Sequence, residues 1–256
     1  MINYIKSSFS KDSLLGSILF FLVLSSWYVL RPVRNEMAVS NVDELPILLA
    51  AGAIAMLLVN PIYSWMASKS NLKKIILFCY SFLIMNLILF LFSWKFLGLG
   101  GSLWLGRIFY VWCNIYSFFV VSIFWVLIIN LFRDSNRRSF YGVIMAGGSV
   151  GALFGSEISK RFSTSFNELG LELFTLSAAF LLFLAMLLAL YMLSKFQRDA
   201  NLTLSNVGGG GFDAIKNSLK VDEIRNIASY VWIWTALMTI QWITAISIVE
   251  EWSQNS

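Results

Sequence analysis

Residues 108–132 read IFYVWCNIYSFFVVSIFWVLIINLF, an apolar run whose most polar interruptions are Asn114, Ser117, Ser122 and Asn130. A helix rising 1.5 Å per residue needs about 20 residues to cross a hydrocarbon layer about 30 Å thick, and this run exceeds that length. Within lipid, a helix also satisfies its own backbone hydrogen bonds, which an open strand or loop does not. Working outward from this segment, six further apolar runs occur at residues 14–30, 46–66, 75–97, 140–158, 171–193 and 230–249. The expected fold is therefore all-α: a polytopic membrane bundle of seven transmembrane helices, with short connections except after the sixth.

Composition agrees with a lipid environment. Hydrophobic residues make up 58% of the chain and charged residues only 13%, whereas soluble domains carry about 25% charged residues. The 22 Phe, 10 Trp and 9 Tyr supply lipid-facing surface and interfacial aromatic belts. A net charge of +5 is compatible with a nucleic-acid partner, but the cations fall in short groups between apolar runs, where membrane orientation accounts for them. No nucleic-acid partner is expected.

The distribution of those cations sets an orientation. With the N-terminus inside, outer segments and outer helix ends hold six cations, Arg31, Arg34, Lys95, Arg107, Lys160 and Arg161, which leaves thirteen of the nineteen inside. The positive-inside rule then predicts a cytoplasmic N-terminus in a cell inner (plasma) membrane, with the lipid bilayer as the main partner. Lys6 and Lys11 precede the first run as they would in a signal peptide, but Trp27, Tyr28 and Arg31 stand where a small-residue cleavage site belongs. The run reads as an uncleaved first span.

Three regions are expected: residues 1–194 as a six-helix unit, 195–229 as a cytoplasmic linker, and 230–256 as a seventh helix with a tail. The linker contains Gly208–Gly211, followed by Phe212, Ile215 and Leu219 at roughly helical spacing, as in a short interfacial helix. No Gly-Lys-Ser/Thr element follows the glycines, so they do not form a phosphate-binding loop.

Catalytic chemistry finds few residues to use. Histidine is absent, and the two cysteines, Cys79 and Cys113, lie inside apolar runs. No catalytic residue, metal or cofactor is expected, and the chain is not expected to be an enzyme. Gly147-Gly148-Ser149-Val150-Gly151 fits the spacing of a hydrolase nucleophile elbow, but without a strand before it or a histidine base that chemistry has no setting.

Binding chemistry is better supplied. At the outer end of the first run, Arg31 and Arg34 are three residues apart and share a helix face. Two guanidiniums facing a cavity would hold a carboxylate or phosphate bidentately, while as end-of-helix anchors they would snorkel to the interface instead. The fourth helix, with Arg107 just ahead of its apolar run, carries Arg107, Asn114, Ser117, Ser122, Trp125 and Asn130, polar or amphipathic groups expected to face the bundle interior because lipid is a costly solvent for them. Of these, Arg107, Asn114 and Trp125 join Arg31 and Arg34 as candidate substrate-binding residues, and the serines are expected to serve mainly in interhelical packing. In the fifth run Gly147, Gly151 and Gly155 recur every four residues, a small-residue stripe expected to let two helices approach closely.

These stretches resemble the major facilitator superfamily, specifically its nucleotide (ADP/ATP) translocase-like branch. LRPVRNEM at residues 30–37 is similar to that branch's element at the end of helix one. Phe124-Trp125, RDSNRRSFY at residues 133–141 and the glycine-rich helix after them resemble its helix-four-to-five connection. The basic loop at residues 67–74 keeps the superfamily's charges but lacks its usual Asp and Gly. The resemblance implies a six-helix half, made of two inverted three-helix repeats, of a secondary transporter working by alternating access. It further implies exchange of nucleotide-like anions, with Arg34 in place of the branch's functional lysine. The branch's acidic residue near position 113 or 114 has no counterpart among Cys113 and Asn114, so the expected substrate is more broadly an organic, anionic solute. A truncated chain is expected, completed by a second half, a second copy or another subunit; the competing expectation is a membrane subunit that does not itself transport.

Overall fold

The computed structural model describes residues 10–39, 44–69, 71–97, 102–132, 140–164, 166–200 and 220–254. Seven helices occupy the described residues: α1 (Lys11–Val39), α2 (Leu45–Lys69), α3 (Leu72–Phe96), α4 (Leu103–Leu131), α5 (Phe140–Thr164), α6 (Phe166–Ala200) and α7 (Asp222–Gln254). Six of them, α1 and α3 to α7, are long and apolar enough to cross a membrane. α2 is apolar over Leu45–Pro61, the part whose side chains are described. The chain is an all-helical membrane bundle, and no strand occurs among the described residues.

The boundaries differ from the expected ones around the long connection. α6 continues to Ala200 and α7 starts at Asp222, ahead of the expected Tyr230. Charge explains the earlier start: Asp222 and Glu223 lie in the first turn, where the helix dipole favours carboxylates, and Asp222 pairs with Arg225 at 2.7 Å. The glycine run at 208–211 and the expected interfacial helix lie outside the described residues. At the start of α6, Gly170 adopts φ 50°, a left-handed conformation open to glycine, and the apolar span begins just beyond it at Glu172.

Side-chain contacts fix the direction of each helix. Ser17, Phe21 and Ser25 of α1 meet Gly147, Gly151 and Gly155 of α5 in step, so α1 and α5 run parallel. Phe20 stacks on Phe124 at 4.2 Å and Trp27 lies 6.3 Å from Tyr116, so α1 and α4 are antiparallel. Ser81 reaches Met186 and Lys95 pairs with Glu172 at 2.8 Å, which sets α3 against α6 in opposite directions. Odd and even helices thus alternate, as short connections require.

A further regularity emerges from the packing partners. α1 packs on α4, α5 and α6, while α4 packs on α1, α2 and α3; α3 packs on α6, α2 on α3, and α5 on α6. Exchanging α1, α2 and α3 for α4, α5 and α6 turns every one of these pairs into another of the same set; among the larger contacts, a slight one between α4 and α6 and those of α7 have no counterpart. Each exchanged helix reverses direction. The six helices therefore pair in the pattern of an inverted repeat of two three-helix units, with the α1–α5 seam much wider than its α2–α4 counterpart.

Burial separates the faces. α3 and α6 turn Phe78, Phe82, Phe180 and Phe183 outward, a surface suited to lipid and not to water. Inside, Ser26 of α1 donates its hydroxyl to the Ala178 carbonyl of α6 at 2.8 Å and hydrogen-bonds with the buried Tyr116 hydroxyl of α4. This three-helix polar knot predicts that Ser26→Ala, which deprives the Tyr116 hydroxyl of its partner, lowers stability by about 1–2 kcal/mol. Thermal unfolding of the detergent-purified protein, compared with Tyr116→Phe and the double variant, measures it.

Candidate functional site

Pro32 shapes the C-terminal end of α1. A proline inside a helix has no N–H for the carbonyl four residues earlier, here Tyr28, and its ring disturbs the ladder locally. Ser159 of α5 packs against this turn, its hydroxyl donating to the Val29 carbonyl at 2.9 Å and lying 3.5 Å from that of Tyr28. Arg31 and Arg34 flank the opened turn. Arg31 is exposed, with its guanidinium 5.4 Å from the Tyr28 ring centroid, and Arg34 is half-buried.

Arg34 sits in an aromatic cage. Its guanidinium carbon lies 5.5 Å from Trp27 on its own helix, 5.9 Å from Tyr110 on α4 and 5.4 Å from Trp242 on α7. Such contacts favour a planar guanidinium over an ammonium. Nη1 donates to Asn114 Oδ1 at 3.3 Å and Nη2 to Asn35 Oδ1 at 2.9 Å. Nε is buried and has no partner. No carboxylate pairs with Arg34 among the described residues, so this cation, on a helix long and apolar enough to cross a membrane, is held by neutral groups alone.

The cage opens on a cavity of about 580 Å³ between α1, α4 and α7, lined by Arg31, Arg34, Tyr110, Asn114, Thr235, Thr239, Gln241 and Trp242 among others. Its walls combine two cations, neutral hydrogen-bonding groups and ring faces. A carboxylate or phosphate with an apolar or flat body would find complementary chemistry here. A second cavity, of about 540 Å³, lies between α1, α5 and α7 and shares Arg31, Trp242 and Ala245 with the first.

Arg31, Arg34 and Asn114 thus come together, as their common cavity shows. Arg107 and Trp125 do not join them. Arg107 turns toward α2, pairing with Glu44 at 2.6 Å and lying 4.9 Å from the Trp104 ring, beside a separate apolar groove between α2 and α4. Trp125 lies eleven residues beyond Asn114, about 16 Å along a helix axis, in an aromatic cluster with Phe20, Phe124 and Tyr141. Arg107→Gln should accordingly change anion affinity by no more than about twofold, measured by equilibrium binding to the purified protein. Of the other polar groups in α4, Ser117 and Asn130 bond to carbonyls of their own helix, 2.8 and 2.7 Å away.

The glycine stripe lies against α1. A Cβ at Gly147 would run into the Ser17 backbone, one at Gly151 into that of Phe21, and one at Gly155 would come within 2.6 Å of the Ser25 carbonyl oxygen. Ser25 donates in return to the Gly151 carbonyl at 3.0 Å. This contact holds α1, and with it Arg31 and Arg34, against α5. The residues that sequence reasoning did not single out are Trp27, Tyr110 and the α7 group of Thr235, Thr239, Gln241 and Trp242. Thr235, Thr239 and Trp242 do recur at helical spacing in an apolar helix, which is the signal that marks a cavity-facing stripe. Comparison with family models, curated proteins and solved structures yields no match for this chain.

Proposed function

We propose that this chain is one inverted-repeat unit of a secondary transporter that carries an organic anion across a cell inner membrane by alternating access, with its N-terminus cytoplasmic. The observation that carries the proposal is Arg34: a guanidinium within a membrane span, caged by three aromatic rings, with a buried unpartnered Nε and an adjoining cavity large enough for a small organic molecule. Arg31 and Asn114 complete the recognition, the first as a second cation and the second as a neutral hydrogen-bonding group beside Arg34. The inverted pairing of helices supports alternating access, since units of this kind rock about a site near their shared axis. The sequence resemblance to the translocase-like branch of the major facilitator superfamily points the same way, and anion-for-anion exchange is the mode it suggests. Such exchange needs no proton-coupling carboxylate.

A second reading is a membrane subunit that binds an anion without transporting it, acting with a second half or another copy of the chain. It is favoured by α7, most of whose side chains are exposed and which reaches the rest of the bundle chiefly through Trp242, Ile243 and Ile246. Proteoliposomes containing the purified chain, preloaded with one carboxylate or phosphate ester and challenged with labelled solute outside, separate the two. Saturable exchange that disappears in Arg34→Ala supports the transporter. Binding without flux in the same preparation favours the subunit, and absence of both refutes the anion site.

A further inference from the structure

Two cavities flank Arg31. The first holds Arg34 and Asn114; the second holds Arg31 together with Lys160, Ser156 and Asn35. Because Arg31, Trp242 and Ala245 line both, the cavities are adjacent chambers divided by those side chains. The Ser159 hydrogen bond to the Val29 carbonyl sets the register of α5 on α1 and brings Lys160 level with the Arg31 turn.

Charge is unbalanced across the pair of chambers. Three cations, Arg31, Arg34 and Lys160, line them against one carboxylate, Glu36. Arg31 and Lys160, both exposed, border the same cavity, and each chamber has its own cation: Arg34, with its unpartnered Nε, in the first and Lys160 in the second. A single anionic group occupying the first chamber would leave the excess positive charge of the second in place.

We infer that the solute carries two separated anionic groups, one held by Arg34 and Asn114, the other by Arg31 and Lys160, which makes Lys160 the residue that distinguishes solutes with two anionic groups from those with one. The inference rests on the reading of Arg34 as an anion site. The shared chemistry is a pair of negative groups on a short linker, whether carboxylates or phosphates.

The test compares the full chain in detergent with Lys160→Gln and Arg34→Gln, reading affinity from ligand-dependent thermal stabilisation. Probes are valerate against succinate, glutarate and adipate, and propyl phosphate against propane-1,3-bisphosphate. In the wild type at least one probe with two anionic groups is expected to bind about tenfold tighter than its one-group counterpart, the advantage of one added charge-assisted contact. Lys160→Gln removes that advantage and leaves binding of the one-group probe unchanged, while Arg34→Gln weakens both; the stabilities of the unliganded variants check that each is folded. A two-group preference that survives Lys160→Gln, or no preference in the wild type, overturns the inference while Arg34-dependent binding of a one-group probe preserves the anion site. No stabilisation by any probe overturns both.

Discussion

Gly151→Leu should leave almost no folded, monodisperse protein after detergent extraction, whereas Gly142→Ala in the same helix should behave like the wild type or slightly better. A Cβ at Gly151 meets the Phe21 carbonyl oxygen and Cα, which are backbone atoms of the neighbouring helix and unable to swing aside. Leucine adds three more carbons to that collision. Overpacking a soluble core costs about 1–3 kcal/mol when side chains can adjust; here whole helices must part, the Ser25 bond to the Gly151 carbonyl is lost, and α1 loses its widest contact. Gly142, by contrast, has open space where a Cβ would go, and alanine favours a helix by about 1 kcal/mol over glycine. Fluorescence-detected size-exclusion chromatography over a temperature series measures both. A stable, monodisperse Gly151→Leu protein would show that α1 and α5 do not pack as described.

Arg34→Ala should weaken anion binding about 100-fold, the scale of losing a charge-assisted hydrogen-bonded contact worth about 3 kcal/mol. Arg34→Lys should fall between, losing about tenfold, because an ammonium keeps the charge but not the fork that reaches Asn114 and Asn35 while lying against three rings. Equilibrium binding of a labelled anion to the purified protein gives both values. Equal affinity in the wild type and Arg34→Ala would remove Arg34 from recognition altogether.

How much of the structure is readable from residues alone varies with the kind of signal. The spans are legible because length and apolarity are local properties: residues 108–132 are long and apolar enough by themselves to specify a membrane helix, and α4 covers most of them. The arginine pair is legible as a face, since three-residue spacing in a helix needs no knowledge of neighbours. Its surroundings are not. Arg34 meets Tyr110, Asn114 and Trp242 only because α1 and α4 run antiparallel in one register and α7 crosses beside them, a fact that no local pattern contains. Arg107 shows the converse. As an isolated cation at the head of α4 it resembles Arg34, but the parallel packing of α2 brings Glu44 to it and turns it away from the cavity. Asp222 and Glu223 hide the start of α7, because charged residues end an apolar run even where they favour the first turn of a helix.

Whether the cavity beside Arg34 is a water-accessible anion site is tested most directly by cysteine protection. Cys79 and Cys113 are both buried, so a membrane-impermeant thiol reagent should find little background in the native protein. Thr239→Cys places one thiol on the cavity wall. The predicted result is modification of Thr239→Cys in membranes, slowed by a bound organic anion in proportion to its occupancy, with protection lost when Arg34→Ala is combined with it. Modification at the same rate with and without every carboxylate and phosphate tried, or protection that persists without Arg34, would contradict the account.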